Sequence, residues 1–230
     1  MTTAVFVAGA HTDVGKTFVA CRLITAARTA GLAVEALKPV ASGFDARDWA
    51  DSDPGRLLAA LGRAPTGTEL DRITPWRFEA PLAPPMAAAL EGRRLPLAPI
   101  VAHCAHGIAQ SSADLVVVEG VGGLMSPLAD GATGLDLMLA LGLPVLLVGG
   151  GYLGAISHTL TALSVMRAHG LMVVCLVVSQ DSDSEAPDFA GAVALTAAHA
   201  APTPVLSAPR DSAGDWARAA LAGLGLANPS

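Results

Sequence analysis

Gly15, Lys16 and Thr17 close the segment GAHTDVGKT, which begins at Gly9 and follows the apolar run AVFVA. A phosphate-binding loop needs backbone N–H groups, a helix N-terminus, a lysine for the β- and γ-phosphates and a hydroxyl for Mg²⁺. The usual loop has four free positions before Gly-Lys-Thr, whereas five follow Gly9, and Ala10 stands where the first glycine would be. A glycine turn with an exposed lysine is the simpler alternative. The position between an apolar strand and a long helix favours a nucleotide site.

Glu119 is the second candidate, because it follows the apolar residues 115–118 and begins the segment EGVGG. A carboxylate at the end of a buried strand is costly unless a cation meets it. Together with a loop hydroxyl, such a carboxylate forms the usual Mg²⁺ site of phosphate-loop enzymes. Capping of a neighbouring helix is the less favoured alternative, given the glycines around it.

Lys38 ends another apolar strand, in the segment KPVASG, and the acidic segment DSD follows at residues 51–53. We expect this strand to lie next to the phosphate-loop strand, so that the ammonium faces the γ-phosphate and stabilises a negatively charged nucleophile. A strand-terminal lysine taken alone is usually just solvated. A fourth segment, GGGYLGAISH at residues 149–158, is a glycine loop that enters a helix and could hold a carboxylate. A simple tight connection fits that spacing equally well.

Alternating strands and helices must position these residues. The pattern predicts strands at residues 4–8, 32–37, 114–120, 144–148, 172–179 and 203–207, and helices at 15–30, 99–111, 155–169, 187–200 and 213–221. Residues 39–96 form a long insertion with short helices at 54–61 and 86–90, and such insertions are more often functional than idle. The fold class is therefore α/β, one domain over residues 1–230, with a mostly parallel sheet flanked by helices. Ligands bind at the carboxyl ends of such strands, where all four segments lie.

Composition limits the classes of function. A chain of 230 residues with 52% hydrophobic and 15% charged residues can bury one sizeable core and is neither disordered nor a coiled coil. The net charge of −6 and the lack of a basic run argue against nucleic acid or an anionic membrane as a partner. We expect a small molecule or another protein instead.

Sequence features also indicate a reducing, cytoplasmic setting. The three cysteines are far apart and outside any CxxC spacing, so neither a disulfide framework nor a zinc site is expected. The amino terminus has no secretory pattern. Residues 137–157 are uncharged and about as long as a membrane span, but Pro144 and the glycine run at residues 149–151 interrupt them. We interpret this stretch as a helix end, a buried strand and a glycine loop.

Several of these segments resemble, in order and placement, those of the dethiobiotin synthetase family: FVAGAHTDVGKT, LKPVASG, SDP, LVVVEGVGGLMSPL and LGAISHTLTAL. The family's loop is similar to Gly-Thr-x-Thr-x-Val-Gly-Lys-Thr, so the extra position after Gly9 is a family feature. The resemblance covers most of the chain and implies a phosphate-loop NTPase fold. It also implies that ATP and CO₂ or bicarbonate convert 7,8-diaminopelargonic acid, a linear diamine, to dethiobiotin in biotin biosynthesis. The route is a carbamate, a carbamic–phosphoric anhydride and closure of the ureido ring.

The resemblance assigns roles to individual residues. Lys16 and Lys38 flank the reacting phosphate as catalytic residues, and Thr17, Asp53 and Glu119 surround Mg²⁺. The implied substrate contacts are Thr12, Ser42, Gly122, Leu153, Gly154, Ala155 and Ser157. The implied ATP contacts are Asp13, Val14, Gly15, Lys16, Thr17, Phe18, Asp53, Glu119, Gly120, Val121, Gly122, Ser179, Gln180 and Pro209. The family is a homodimer, in which the helix start at residues 153–157 of one subunit holds the substrate tail bound to the other.

The chain departs from the family's pattern at three places. Ser157 stands where the family commonly has Asn, and Gln180 replaces an Asn on the adenine side of the pocket. Ala83, Pro84 and Pro85 replace a frequent Ser-Pro-His. These changes bear on substrate contacts and on base preference.

Two other families have related features. A cobyrinic-acid amide synthase has a similar amino-terminal domain but needs a glutaminase domain with a cysteine nucleophile, which this short chain lacks. A partition-type switch ATPase usually carries a second lysine early in its loop, where this chain has Ala10 or His11, and a basic surface. The ligase is therefore the preferred prediction, and the switch ATPase is the alternative from a different functional class.

Overall fold

The computed structural model describes residues 2–181, 188–211 and 215–226. Its central element is a six-stranded parallel sheet with the strand order β10-β9-β8-β1-β5-β2. These strands are β1 (Thr3–Gly9), β2 (Val34–Leu37), β5 (Leu115–Glu119), β8 (Val145–Gly149), β9 (Val173–Ser179) and β10 (Val205–Ala208). The predicted α/β class with a mostly parallel sheet is confirmed.

Helices cover both faces of this sheet. They are α1 (Lys16–Thr29), α2 (Asp53–Ala60), α3 (Gly67–Ile73), α4 (Pro84–Leu90), α5 (Leu97–Ala109), α6 (Gly134–Leu141), α7 (Ala155–Ala168), α8 (Phe189–Ala200) and α9 (Asp215–Gly223). The predicted starts of the last two helices, at residues 187 and 213, lie outside the described residues. None of the helices in the described ranges is long and apolar enough to cross a membrane. The uncharged stretch 137–157 contains the end of α6, strand β8 and the loop before α7, as predicted.

Alternation along the strands produces two apolar cores, one on each face of the sheet. Val5 and Val7 of β1 pack with α1, α2 and α9, whereas Phe6 and Ala8 point to the opposite face, toward α4 to α7. Both cores consist mainly of buried aliphatic side chains, with a few aromatic rings such as Phe6 and Trp216. The predicted continuous apolar runs are therefore strands buried on both faces.

The insertion between β2 and α5 has more structure than the sequence predicts. Besides α2 and α4, it contains a 3₁₀ turn at Trp49–Asp51, helix α3 and two short parallel strands, β3 (Val40–Ser42) and β4 (Trp76–Phe78). A further small hairpin, β6 (Pro127–Ala129) and β7 (Ala132–Thr133), precedes α6. Propensity alone misses these pieces because each is only two to seven residues long and depends on packing against the main sheet.

One expectation about strand order is wrong. Strand β2 does not lie next to β1, because β5 pairs with both and stands between them. Lys38 therefore adjoins the end of β5 rather than the end of β1. In the parallel register Leu37 is paired with Val118, so the next residues along the two strands, Lys38 and Glu119, are neighbours.

The start of α2 is tied to the 3₁₀ turn before it, and this contact positions Asp53. The Ser52 hydroxyl donates to the Trp49 carbonyl at 2.5 Å and accepts from the Gly55 N–H at 3.3 Å, which caps the helix. A Cβ on Gly55 would lie 2.2 Å from the Trp49 carbonyl oxygen and 2.5 Å from that of Ala50. Only glycine fits at this contact.

We expect Gly55→Ala to lower the free energy of unfolding by roughly 1–3 kcal/mol, because the added methyl group must push the turn away from α2. Gly67→Ala is the matched control, since a Cβ at Gly67, the first residue of α3, meets no atom within 4 Å. Urea unfolding of the two variants and the unchanged chain measures both effects. Equal stabilities of Gly55→Ala and Gly67→Ala would contradict this account of the turn.

Candidate active site

The loop between β1 and α1 folds back around the side chain of Lys16. Gly15 has a φ of 89° and Asp13 a φ of 57°, so two left-handed residues turn the chain before the helix begins. A Cβ on Gly9 would lie 2.8 Å from Lys16 Cδ, and Lys16 Nζ donates to the His11 carbonyl at 3.4 Å. The Cβ would also lie 2.9 Å from the His11 carbonyl oxygen, so the turn of the loop backbone requires a glycine here. The loop has the concave shape that a phosphate-binding loop needs.

Lys38 lies between two carboxylates at the ends of the neighbouring elements. Its Nζ is 2.5 Å from Glu119 Oε1 and 2.7 Å from Asp53 Oδ2, and its side chain is only 2% exposed. The Thr17 hydroxyl donates to the same Glu119 oxygen at 2.6 Å. The structure thus brings together Thr17, Lys38, Asp53 and Glu119, four residues that the sequence singles out, in one hydrogen-bonded cluster.

Alternation along the strands explains why these side chains meet. Every second side chain of a strand points to the same face of the sheet. Glu119 is therefore on the same face as Leu115 and Val117, and Lys38 is on the same face as Val34 and Ala36. These four apolar residues belong to the core under α1 and α2. Both charged side chains therefore point to the face where α1 begins with Lys16 and Thr17 and where α2 begins with Asp53. We call this group of five residues the lysine–carboxylate cluster.

The two lysines of the lysine–carboxylate cluster have opposite electrostatic environments. Burial lowers the pKa of Lys16, and the nearby Lys38 ammonium lowers it further, although Glu119 and Asp53 oppose this. Burial also disfavours the charge on Lys38, but the carboxylates of Glu119 and Asp53 outweigh it and raise the pKa of Lys38. Lys38 therefore carries a full positive charge at neutral pH, whereas Lys16 is a buried ammonium with no carboxylate of the described residues within ion-pair distance.

The carboxylates differ in a similar way. Burial raises the pKa of Glu119 even though Lys38 stabilises its charge. Lys38 outweighs the effect of burial on Asp53 and lowers the pKa of that carboxyl. Glu119 Oε2 is buried and has no hydrogen-bond partner among the described residues. An unpartnered carboxylate oxygen beside a second carboxylate and a hydroxyl is a donor set that Mg²⁺ prefers, so these residues could hold a divalent cation.

A second group of predicted residues lies on the other side of the loop. The Ser179 hydroxyl is buried without a partner in the described ranges, and a Cβ on Gly15 would lie 2.5 Å from it. The Gln180 amide oxygen accepts from the Arg210 N–H at 3.1 Å, and Arg210 Nε donates to the Gln180 carbonyl at 2.8 Å. The Arg210 guanidinium carbon lies 4.4 Å from the centre of the Phe18 ring. The sequence analysis missed Arg210, because an isolated arginine after a short strand carries no pattern.

A third group surrounds a cavity of about 370 Å³ beside the loop. Thr12 lines it, and a Cβ on Gly122, which has a φ of 65°, would lie 3.8 Å from the Thr12 hydroxyl. Gly120 is held by its N–H, which donates to the Val7 carbonyl at 3.0 Å. The sequence analysis also missed His11 and His158, which line the same cavity.

The remaining predicted residues are not part of these contacts. Ser42 ends β3, and Leu153 and Gly154 precede α7, with the Leu153 side chain 90% exposed. Ala155 is buried in the first turn of α7, and Ser157 is exposed. The other predicted nucleotide contacts flank the loop or the strand ends: Val14 is buried in the core, Val121 is half-buried after β5, and Pro209 follows β10.

Several known proteins match this chain over most of its length. The family model described as an AAA domain matches residues 3–208. The chain is 56% identical to the ATP-dependent dethiobiotin synthetase BioD of Phenylobacterium zucineum, over 93% of this chain and 92% of that protein. It is 50% identical to the protein of the same name from Caulobacter vibrioides, over 97% of this chain and 99% of that protein.

Solved structures resemble the fold at much lower identity. The MinC:MinD cell division protein complex of Aquifex aeolicus has a TM-score of 0.55 at 10% identity, with 98% of this chain and 94% of that chain covered. A DUF1611 family protein from Anabaena variabilis has a TM-score of 0.53 at 16% identity, with 97% of this chain and 57% of that chain covered. Likeness at these identities concerns the fold alone.

The two buried lysines should respond differently to truncation. Lys38→Met leaves Glu119 and Asp53 without their cation, and breaking a buried ion pair in this way typically costs about 3–5 kcal/mol of unfolding free energy. Lys16→Met, the matched control, removes a buried ammonium whose polar contact is one 3.4 Å hydrogen bond to a carbonyl. We therefore expect it to change stability by less than about 1 kcal/mol.

Urea unfolding at pH 7 without divalent cations or nucleotide measures both variants. The double variant Lys38→Met/Glu119→Gln should recover part of the loss, since it removes the charge that Lys38→Met leaves buried. Equal losses for the two single variants would rule out the proposed difference between the lysines.

Proposed function

We propose that this chain, which belongs to the AAA-domain family and within it to the ATP-dependent dethiobiotin synthetases, is an ATP-dependent cyclo-ligase that makes dethiobiotin in biotin biosynthesis. Its substrates are 7,8-diaminopelargonic acid, CO₂ or bicarbonate, and ATP. The observation that carries this proposal is the lysine–carboxylate cluster beside the phosphate loop. A reaction between several negatively charged groups needs cations placed in this way more than it needs a protein nucleophile.

The ATP phosphates bind along the loop. The N–H groups at the start of α1, the Lys16 ammonium and the Thr17 hydroxyl face this position, and the macrodipole of α1 favours an anion there. The base side of the pocket consists of Phe18, Ser179, Gln180, Pro209 and Arg210. The Gln180 amide oxygen already accepts a hydrogen bond from the Arg210 N–H. The nucleotide base therefore meets a different pattern of hydrogen-bond donors and acceptors from the pattern that an Asn at this position would offer.

Thr17, Asp53 and Glu119 hold Mg²⁺ in this proposal. The orphaned Glu119 Oε2 and the hydroxyl of Thr17 support this assignment. When bound, the metal neutralises charge on the phosphates that Lys16 and Lys38 also face. Lys38 Nζ contacts both carboxylates that would hold the metal, so in this proposal its ammonium and a divalent cation would compete for the same oxygens.

The Lys38 and Lys16 ammonium groups act on the nucleophile. A carbamate formed on one substrate amine attacks the γ-phosphate, and both reactants are anionic. The two ammonium groups offset the repulsion between the carbamate and the γ-phosphate, and they stabilise the charge that develops as the anhydride forms. The second amine attacks the carbamoyl carbon, closes the ring and releases phosphate.

The cysteine thiols are unsuited to nucleophilic catalysis, because burial raises the pKa of Cys21, Cys104 and Cys175 to about 12 in each case.

The diamine occupies the cavity beside Thr12, with Ser42 and Gly122 as further contacts. We also propose a homodimer in which Leu153 and Gly154, before α7, together with Ala155 and Ser157 of one subunit, contact the substrate tail in the other. The 90% exposure of Leu153 supports this, because a large apolar side chain next to a helix start would be buried by a partner. The side chain of Ser157 is shorter than that of the Asn that the family commonly has here, so a hydrogen bond to the tail requires a closer approach of the two groups. The free thiols fit a reducing, cytoplasmic setting.

The experiment that tests this function is phosphate release from MgATP and bicarbonate, with and without 7,8-diaminopelargonic acid. We expect release to require the diamine, and a product with the mass of dethiobiotin to form at the same rate. Lys38→Met, measured at a temperature where it is folded, should lose roughly 10²–10³-fold in kcat, because it removes a cation that acts on the developing charge. Arg94→Gln is the control, since Arg94 is 86% exposed and outside the site.

Hydrolysis that is indifferent to the diamine would contradict the ligase and favour the partition-type switch ATPase. Diamine-dependent release that survives Lys38→Met would leave the ligase standing but refute the role of Lys38. Comparing ATP with CTP and GTP in the same assay tests the base preference that Gln180 sets.

A further inference from the structure

Three aromatic side chains meet at the mouth of the cavity beside the phosphate loop. The rings of His11 and His158 are stacked, with centres 5.2 Å apart and an interplanar angle of 12°. The Tyr152 hydroxyl is 2.8 Å from His158 Nδ1, and its ring centre is 5.9 Å from that of His11. These contacts join the loop before α1 to the first turns of α7. Neither the metal site nor the phosphate site uses them.

The hydrogen bonds of His11 determine which of its nitrogens is free. His11 Nδ1 is 2.9 Å from the Thr12 carbonyl oxygen, which can only accept a hydrogen bond. Nδ1 therefore carries the proton, and in the neutral ring Nε2 holds an unshared electron pair. A histidine in this tautomer is ready to accept a proton at Nε2.

The cavity has a polar end and a longer wall of mixed character. His11, Thr12 and His158 lie at the end near the phosphate loop. The rest of the wall combines the apolar side chains of Leu124, Met125, Ala162 and Val165 with two hydroxyl side chains, Ser126 and Thr161. A linear molecule with amines at one end and methylene groups along its length fits this division. Its amines must lie at the loop end, because the carbamate has to reach the γ-phosphate. His11 lines that end.

We propose that His11 is a catalytic residue that accepts the proton given up by the substrate amine when the carbamate forms. The amine lone pair makes the new N–C bond to CO₂, and the π electron pair of one C=O bond moves onto oxygen. The N–H proton passes to His11 Nε2, so the products are a carbamate anion and an imidazolium. This role rests on the proposed function, which supplies both the diamine and CO₂.

The surroundings of His11 suit a group that alternates between neutral and charged forms. The titratable and charged groups that contact it among the described residues are Lys16, whose Nζ donates to the His11 carbonyl, and His158 and Tyr152 from the α7 side. His11 is exposed, so a proton that its ring accepts can pass to solvent after each turnover.

The test is the pH dependence of kcat/KM for the diamine at a fixed concentration of CO₂. His11→Gln keeps a hydrogen-bonding side chain but accepts no proton, and we expect it to lower kcat/KM by roughly 10²-fold or more above neutral pH. The ratio of kcat/KM between the unchanged chain and His11→Gln, taken at each pH, cancels the ionisation of the substrates. This ratio should be smaller at low pH than at high pH, because a general base acts only in its unprotonated form.

His11→Asp restores a proton acceptor and is the second variant. It should recover activity relative to His11→Gln, with the acidic limb of the profile moved to lower pH, because an aspartate titrates below a histidine. His106→Gln, a histidine on α5 away from the loop, is the matched control and should leave the profile unchanged. Melting temperatures of all three variants check that the fold is intact.

Three results would overturn the role of His11. A His11→Gln variant with an unchanged rate and profile would show that the ring takes no proton, while the ligase itself would stand. A constant loss at every pH, not relieved by His11→Asp, would show a structural role only. The absence of diamine-dependent turnover in the unchanged chain would contradict the proposed function together with this inference.

Discussion

The ion pairs of Lys38 with Glu119 and Asp53 are the interaction on which the rest of the site depends. A buried carboxylate at the end of β5 and a buried ammonium at the end of β2 would each be costly alone, but the parallel register makes them neighbours. Asp53 reaches the same ammonium from the first turn of α2, and Thr17 reaches Glu119 from α1. Strands β2 and β5 and helices α1 and α2 therefore all contribute to one cluster of charges. The contact of Ser52 with the Trp49 carbonyl, which fixes the start of α2, also fixes the position of Asp53.

This arrangement gives the two lysines different tasks. The charge of Lys38 is compensated by the carboxylates of Glu119 and Asp53. The neighbouring Lys16 ammonium contacts only a carbonyl among the described residues, and burial and the Lys38 charge lower its pKa. An anion in the loop would offset the electrostatic cost of the buried Lys16 ammonium. In the proposed function, a divalent cation held by Asp53 and Glu119 would take the place that the Lys38 ammonium has beside these carboxylates.

The sequence indicates this site well, because its parts are local patterns at strand ends. Gly15, Lys16 and Thr17 follow one apolar strand, Glu119 ends a second and Lys38 ends a third, so a parallel sheet must bring them to one edge. The order of the strands was not predictable in the same way, and β2 was wrongly expected beside β1. Pairing partners in a parallel sheet depend on crossovers far apart in sequence, and periodicity records only which face each side chain occupies. The stacking of His11 on His158 and the contact of Arg210 with Phe18 join residues about 150 and 190 positions apart, so no local pattern predicts them.

The most direct test of the account is the affinity for Mn²⁺ in the absence of nucleotide, measured by electron paramagnetic resonance. If the Lys38 ammonium occupies the carboxylates that a metal needs, Lys38→Met should bind Mn²⁺ at least roughly 10-fold more tightly than the unchanged chain, because a competing positive charge has been removed. The gain should disappear when Asp53→Asn is added. Equal or weaker binding by Lys38→Met would show that the ammonium and the metal do not compete, and would contradict the central claim.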